Sequence, residues 1–122
     1  MSSEFNIEIE YKHVPRLESG SDASIEYLEE HGYVVIKNAL SESEAAKTLD
    51  LLWDYLEDLN TGIDRNDPST WEDDRWPTCA HGGIMPSYGI GHSESQWYLR
   101  GIPNVKKAFA KIWESDDLLT SF

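Results

Sequence analysis

The residues best suited to chemistry lie near position 92, where one residue separates His92 from Glu94. A His-x-Asp/Glu pair supplies two ligands of the two-histidine, one-carboxylate triad that holds non-haem iron. A second histidine is then needed, and because none follows His92 it would have to come from upstream: His13, His31 or His81. Ser93 can cap a helix that begins at Glu94, and a carboxylate in a first helical turn is explained by the helix dipole alone. The sequence therefore favours a structural role for Glu94 and predicts no metal ligand.

A second group of candidates follows on the same predicted helix. Gln96, Trp97 and Arg100 lie one, three and four positions apart and share one side of the helix. With His92 they are candidates for the lining of a substrate pocket, because Arg100 can pair with a carboxylate or phosphate and Trp97 can form an apolar wall. The alternative, which these residues alone favour, is that Trp97 is core and Arg100 bridges to an acidic loop.

Composition excludes several classes of protein. A chain of 122 residues with 39% hydrophobic residues and five Trp is enough for one folded domain. The net charge of −13, without a cluster of Lys and Arg, argues against nucleic-acid binding. The single cysteine, Cys79, cannot form an internal disulfide, and no apolar run or leader pattern suggests a membrane or secreted protein. We expect a cytoplasmic protein that binds neither nucleic acid nor membrane.

The elements upstream of the candidate residues are predicted from caps and periodicity. Residues 5–11 alternate apolar and polar side chains, which is typical of a half-buried strand. Ser21 or Asp22 caps a helix that ends near Gly32, with Ile25 and Leu28 facing inward. The β-branched segment at residues 33–36 predicts a strand buried on both faces.

A long helix is predicted from Ser41 to about Asn60. Ser41 and Glu44 have the spacing of a capping box, in which each residue satisfies a backbone donor of the other. Apolar residues at spacings of three and four predict one face packed against a sheet. That face consists of Ala45, Leu49, Leu52, Leu56 and Leu59.

The segment from Thr61 to Gly91 loses this periodicity. It contains three prolines and five glycines, which are typical of loop structure. Loops of this length are usually functional or disordered, and Trp71 and Trp76 indicate a loop that packs against the rest of the protein.

The last 30 residues predict two short helices and a strand. Ser93 and Gln96 have capping-box spacing, and Gly101 lies where a left-handed residue would end the helix. Pro103 suits the first turn of the next helix, and a strand is expected to begin at Leu118. The apolar stripe of the second helix consists of Val105, Phe109, Ile112 and Trp113.

Two blocks of the sequence resemble the phytanoyl-CoA dioxygenase family. Residues 27–41 (YLEEHGYVVIKNALS), followed by the helix over residues 45–59, are similar to the N-terminal portion of that family. The segment YGIGHSESQWYLR at residues 88–100, with the Pro, Phe, Trp and Asp-Leu-Leu that follow, is similar to a microbial and algal branch of it. The resemblance covers about residues 21–122.

The family resemblance implies an α+β fold in which helices precede a double-stranded β-helix (jelly roll). It further implies Fe(II) held by a His-x-Asp motif and a distal His, 2-oxoglutarate held by a basic residue, and a small-molecule substrate. In the family, the iron motif comes after the strand that residues 118–122 would start, so no residue here matches a metal ligand or a 2-oxoglutarate anchor. His92 and Glu94 lie upstream of that motif.

These observations predict the N-terminal portion of an Fe(II)/2-oxoglutarate-dependent dioxygenase, inactive as this chain. One partial domain is expected, with an N-terminal strand and connection at residues 1–20 and helix, strand and helix at residues 21–60. A long loop would follow at residues 61–92, and two helices and the start of a core strand at residues 93–122. In isolation such a portion would leave apolar edges unpaired and would associate.

Two rival hypotheses stay open at the level of sequence. The first is a small acidic, non-catalytic binding domain whose contact surface is the long loop or Trp97 and Arg100. The second is a minimal metalloprotein that uses His92 and Glu94.

Overall fold

Helices dominate the part of the chain that the computed structural model describes, which comprises residues 13–72, 74–77 and 84–120. The predicted strand at residues 5–11 lies outside the described residues, as do Cys79 and His81. The elements in chain order are β1 (Arg16–Glu18), α1 (Asp22–His31), β2 (Val35–Lys37), α2 (Glu42–Asp58), α3 (Glu94–Gly101) and α4 (Pro103–Trp113). Two 3₁₀ turns, Pro68–Thr70 and Ile90–His92, lie between α2 and α3. The observed mixture of helices and a small sheet agrees with the predicted α+β class, whereas the jelly roll stays a prediction.

The ends of α1 are those that the sequence predicts. The hydroxyl of Ser21 accepts a hydrogen bond of 3.2 Å from the backbone N–H of Ser24. At the other end Gly32 has a positive φ of 76° and donates its N–H to the Leu28 carbonyl at 2.8 Å. A residue without a Cβ tolerates this left-handed conformation, which explains why the helix stops there.

The sheet differs from the prediction in two respects. β1 and β2 pair in parallel, with Leu17 opposite Ile36, whereas residues 16–18 were expected to form only a connection. The prediction that the second strand is buried on both faces is wrong, because Val35 is exposed and Ile36 is half-buried. Within the described residues the sheet has only these two strands, so both are edges and one face stays open to solvent.

The capping box of α2 is confirmed. Ser41 Oγ accepts from the N–H of Glu44 at 3.3 Å, and Glu44 Oε2 accepts from the N–H of Ser41 at 2.8 Å. The predicted buried face holds only for the C-terminal half, where Leu56 is buried, while Ala45 and Leu49 are exposed. The covering element is the short helix α3, which reaches only part of α2, and no larger sheet lies along α2 in the described structure.

The long connection packs down through its tryptophans, as predicted. The Trp53 ring on α2 stacks on Trp71 at a centroid distance of 5.3 Å and contacts Trp76 at 6.1 Å. Trp71 Nε1 donates to the carbonyl of Asp64 at 2.8 Å. The aromatic contacts and the 3₁₀ turn Pro68–Thr70 therefore hold this side of the loop against α2.

The junction between α3 and α4 corrects one prediction about a glycine. Gly101 is the last residue of α3 and does not have a positive φ. The helix ends instead because Ile102, which precedes Pro103, is extended at φ −62° and ψ 128°. A residue before proline is driven out of the helical region by a steric clash with the proline ring. Pro103 occupies the first turn of α4, as expected.

The second half of α4 and the residues that follow it expose their apolar side chains. Phe109 and Trp113 are 54% and 69% exposed, and Leu119 is fully exposed. Residues 118–120 form no strand in the described part of the chain, so the core strand expected from Leu118 stays a prediction. The buried hydrophobic residues of the described ranges lie elsewhere and are Leu56, Ile63 and Ile102.

Candidate functional site

The turn before α3 brings the first candidate residue into place. Gly89 adopts a positive φ of 72° and opens the 3₁₀ turn Ile90–His92. The hydroxyl of Ser93 then caps α3 by accepting from the N–H of Gln96 at 3.4 Å. The N–H of Ser93 donates to the carbonyl of Ile90 at 3.0 Å, so only one half of the predicted capping box is formed. His92 is thus fixed directly before the helix that carries the other candidates.

Trp97 is close to both His92 and Arg100. The His92 and Trp97 ring centroids are 6.3 Å apart with the planes inclined by 45°. Arg100 Cζ lies 5.0 Å from the centre of the Trp97 ring, within the range of a cation–π interaction. The structure therefore brings three of the four predicted pocket residues into one cluster, which we call the His92–Trp97–Arg100 cluster.

The alternative role considered for Trp97 is wrong, because Trp97 is 43% exposed and is not a core residue. Arg100 Nη1 donates to the carbonyl of Gly91 at 2.7 Å, and a bridge from Arg100 to an acidic loop stays a prediction. The bond to Gly91 ties α3 back to the 3₁₀ turn and fixes the guanidinium beside the indole ring.

Gln96 takes part in the site through its backbone. Its N–H donates to Ser93, and the residue itself is half-buried. The structure thus assigns it a role in holding the turn, while the lining of a pocket by His92, Gln96, Trp97 and Arg100 stays a prediction.

The cluster presents a cation and two rings on one partly open surface. The guanidinium of Arg100 has further N–H donors in a planar arrangement that matches a carboxylate or a phosphate. The exposed Trp97 ring offers an apolar wall next to that cation. The arrangement can bind and orient a small anion that carries an apolar group.

Two contacts that sequence reasoning missed position this surface on α2. Ser95, which is 2% exposed, donates from Oγ to the carbonyl of Thr48 at 3.1 Å. The hydroxyl of Tyr55 donates to the carbonyl of Tyr88 at 2.9 Å, and burial raises the pKa of Tyr55 above its ordinary value. Both contacts join residues more than 30 positions apart, and neither has a local sequence signal.

A metal site does not form from the described residues. No three His, Cys, Asp or Glu side chains lie together there in a way that could hold a metal ion. Glu94 occupies the first turn of α3, where a carboxylate complements the helix dipole. The iron triad of the phytanoyl-CoA dioxygenase family therefore does not fit this part of the chain.

In the described residues, no helix is long and apolar enough to cross a membrane.

Comparison with known proteins finds two curated relatives. The chain is 40% identical over 91 residues to Ava biosynthesis cluster protein O of Aspergillus versicolor. The matched region covers 75% of this chain and 29% of the relative. It is 33% identical over 101 residues to a putative phytanoyl-CoA dioxygenase of Dictyostelium discoideum. This matched region covers 79% of this chain and 28% of the relative. No family model and no solved structure matches the chain.

These relatives confirm the resemblance to phytanoyl-CoA dioxygenases that the sequence blocks suggest. The chain spans less than a third of the length of either curated relative.

Proposed function

We propose that this chain is the N-terminal portion of an Fe(II)/2-oxoglutarate-dependent dioxygenase of the phytanoyl-CoA dioxygenase type. The observation that carries the proposal is the 33% identity to a putative phytanoyl-CoA dioxygenase over 101 residues. The match includes most of the described structure, so it is not confined to one motif. The whole enzyme would hydroxylate a small-molecule substrate.

The cofactor ligands are expected in a part of the protein that this chain does not span. Supporting this, the chain covers only 28% of the dioxygenase relative, and the described residues contain no cluster of three metal-binding side chains. In the whole enzyme, O₂ would be the oxidant, and Fe(II) would activate it with the electrons of 2-oxoglutarate, which leaves as succinate and CO₂. By itself the 122-residue chain is expected to show no turnover.

The role of this chain in the enzyme would be to support α3 and to position the His92–Trp97–Arg100 cluster. α2 holds α3 through the bond between Ser95 and Thr48, and α3 in turn presents the His92–Trp97–Arg100 cluster. We assign this cluster to the lining of the substrate pocket. Arg100 would bind a carboxylate or phosphate of the substrate, and Trp97 would cover an apolar part and exclude water.

The name of one relative supports the proposal that the substrate is a small molecule. Ava biosynthesis cluster protein O is named for a biosynthesis cluster, and it shares 40% identity with this chain. Related folds oxidise very different molecules, so the substrate class proposed here is defined by the cluster itself: a small anion with an apolar body.

An assay of 2-oxoglutarate turnover tests the proposal. The protein translated from the complete coding sequence would be supplied with Fe(II), oxygen and 2-oxoglutarate, and succinate would be measured. We expect succinate formation by the whole protein and none by residues 1–122 alone. A complete protein that folds, binds Fe(II) and forms no succinate with or without candidate substrates would contradict the enzyme assignment.

Variants of Arg100 test the pocket assignment separately. Arg100→Met should raise the KM for an anionic substrate while uncoupled succinate formation continues. Arg100→Lys, which keeps the charge but loses the planar pair of donors, should have a smaller effect. An unchanged KM in both variants would remove Arg100 from the pocket and leave the enzyme assignment intact.

A further inference from the structure

Tyr88 has a backbone conformation that a bulky residue rarely adopts. Its φ of 63° lies in the left-handed region, as does the φ of 72° at Gly89, which follows it. Left-handed backbone brings the Cβ of any residue other than glycine close to a carbonyl oxygen. Asn38 and Asn60 also have a positive φ, but asparagine tolerates it well, whereas for tyrosine it is an outlier. Such a conformation persists only where the surrounding structure holds it.

Side chains from two helices hold the segment that begins with Tyr88. From α2, the hydroxyl of the half-buried Tyr55 donates to the Tyr88 carbonyl at 2.9 Å. From α3, Arg100 Nη1 donates to the Gly91 carbonyl at 2.7 Å. Residues 88–91, which we call the 88–91 turn, are thus anchored at their first and last carbonyls, and they connect Tyr55 with Arg100.

This connection bears on the guanidinium that is the candidate anion ligand. Arg100 Cζ lies 5.0 Å from the centre of the Trp97 ring, and the bond to Gly91 leaves other N–H donors of the side chain for an anion. A long side chain that is ordered only when a ligand binds reduces the affinity, because its rotamer entropy is lost at that moment. An ordered 88–91 turn holds Arg100 beforehand, so part of this entropy is lost on folding and not on binding.

We propose that Tyr55 is a positioning residue for the candidate pocket: its bond to the Tyr88 carbonyl holds the 88–91 turn, and the turn holds Arg100 for an anionic ligand. The inference rests on the pocket assigned to the His92–Trp97–Arg100 cluster under the proposed function, and it does not depend on the iron chemistry. Coupling of this kind is reciprocal, so an anion bound to Arg100 also orders the 88–91 turn.

Binding of phenyl phosphate to the 122-residue chain provides the test. This probe joins a phosphate, which suits the guanidinium, to an apolar ring, which suits the exposed indole of Trp97. Binding is followed by NMR as the shift of the Trp97 indole N–H signal during a titration. We expect a saturable shift in the wild type and none in Arg100→Met.

Tyr55→Phe removes only the hydroxyl that holds the turn. We expect the Kd for phenyl phosphate to rise about fivefold, which is the effect of one ordinary hydrogen bond. Tyr27→Phe is the matched control, because it also removes one tyrosine hydroxyl, which contacts that of Tyr33 at 3.3 Å and not the 88–91 turn. Its Kd should equal that of the wild type.

A second substitution separates positioning from a general loss of stability. Asparagine adopts the left-handed conformation more readily than tyrosine, so Tyr88→Asn should keep the turn in place with less help from Tyr55. The double variant Tyr55→Phe, Tyr88→Asn should therefore recover most of the affinity that Tyr55→Phe loses. A role of Tyr55 in overall stability alone would not change the Kd of the folded chain in either variant.

Hydrogen exchange tests the reciprocal effect. The N–H groups of His92 and Ser93 donate to the carbonyls of Gly89 and Ile90, so their exchange reports on the turn. In Tyr55→Phe, exchange at these two amides should be faster than in the wild type, and it should slow again when phenyl phosphate is added.

The outcomes that contradict the inference differ from those that contradict the pocket. No saturable shift of the Trp97 signal in the wild type would overturn the pocket assignment and this inference with it. Equal Kd values for the wild type and Tyr55→Phe would overturn the role of Tyr55 and leave the pocket assignment in place. A Kd that stays high after Tyr88→Asn is added would show that Tyr55 does not act through the 88–91 turn, which also overturns the inference.

Discussion

Ser95 Oγ on α3 donates a hydrogen bond of 3.1 Å to the backbone carbonyl of Thr48 on α2, across 47 residues of sequence. Ser95 is 2% exposed, so the bond is made where water has little access. α3 carries Trp97 and Arg100, and this contact therefore couples the position of the candidate site to the long helix.

Replacing Ser95 with alanine should destabilise the chain by about 1 kcal/mol, because a buried hydrogen bond is lost. The measurement is the free energy of unfolding from urea titration. Ser43→Ala, at an exposed position in the first turn of α2, is the control and should have a smaller effect. Equal stability of Ser95→Ala and the wild type would show that the bond does not hold α3 to α2.

Glu57 should stabilise the chain in a pH-dependent manner. Arg65 donates to Glu57 from its backbone N–H at 2.8 Å and from Nη2 at 2.7 Å, and these hydrogen bonds hold the pKa of Glu57 below its ordinary range. A carboxyl group whose pKa is lowered on folding stabilises the fold at neutral pH. That stabilisation is lost as the pH falls below about 4.3 and through the folded-state pKa.

Glu57→Gln should accordingly lower the urea midpoint at pH 7, and the difference from the wild type should shrink near pH 3. Asp58→Asn removes a charge from the next residue of the same helix and is the control, with little change expected at either pH. A difference between Glu57→Gln and the wild type that is the same at both pH values would contradict the ion-pair account.

Trp71 should protect the long connection from proteolysis. Its ring stacks on Trp53 and its indole N–H bonds to the Asp64 carbonyl, so Trp71→Ala removes both contacts. Aromatic pairs contribute about 0.5–1.5 kcal/mol beyond their buried area, which corresponds to roughly 2- to 13-fold more local opening when the pair is lost. Trypsin should therefore cut faster after Arg65 and Arg75 in the variant, as followed by mass spectrometry.

Trp113→Ala is the matched control for the proteolysis experiment, because Trp113 is an exposed tryptophan on α4. Its cleavage rate at the two arginines should equal that of the wild type. If Trp71→Ala is cut no faster than this control, the aromatic stack does not hold the loop against α2.

Arg100 should order the turn that precedes α3. Its bond to the Gly91 carbonyl closes the segment in which His92 N–H donates to the Gly89 carbonyl at 2.8 Å. Arg100→Ala should increase hydrogen exchange at the amides of His92 and Ser93, while exchange in α1 should not change. Equal protection in the variant and the wild type would limit Arg100 to its contact with Trp97.

The sequence predicted what is encoded locally. The caps at Ser21, Ser41 and Ser93 and the helix start at Pro103 depend on side chains within a few residues, so they were found directly. The proximity of Trp97 and Arg100 followed in the same way from their spacing on one short helix, and His92 lies in the 3₁₀ turn before that helix.

Features that depend on distant residues were missed or misplaced. β1 is three residues long and exists through its pairing with β2, so residues 16–18 carry no periodic signal of their own. Leu49 has a perfect helical spacing with Leu56, yet it is exposed because α3 covers only part of α2. One local prediction was also wrong: Gly101 was expected to end α3 by a positive φ, but the steric effect of Pro103 on Ile102 ends the helix.

Sequencing the transcript that encodes this chain, past the codon for Phe122, tests the central claim most directly. The account predicts an in-frame continuation that contains a His-x-Asp motif, followed by a later His and a basic residue, which would complete an iron and 2-oxoglutarate site. A stop codon directly after Phe122 would contradict the assignment of this product to an oxygenase. The function would then have to be sought in what the chain itself binds.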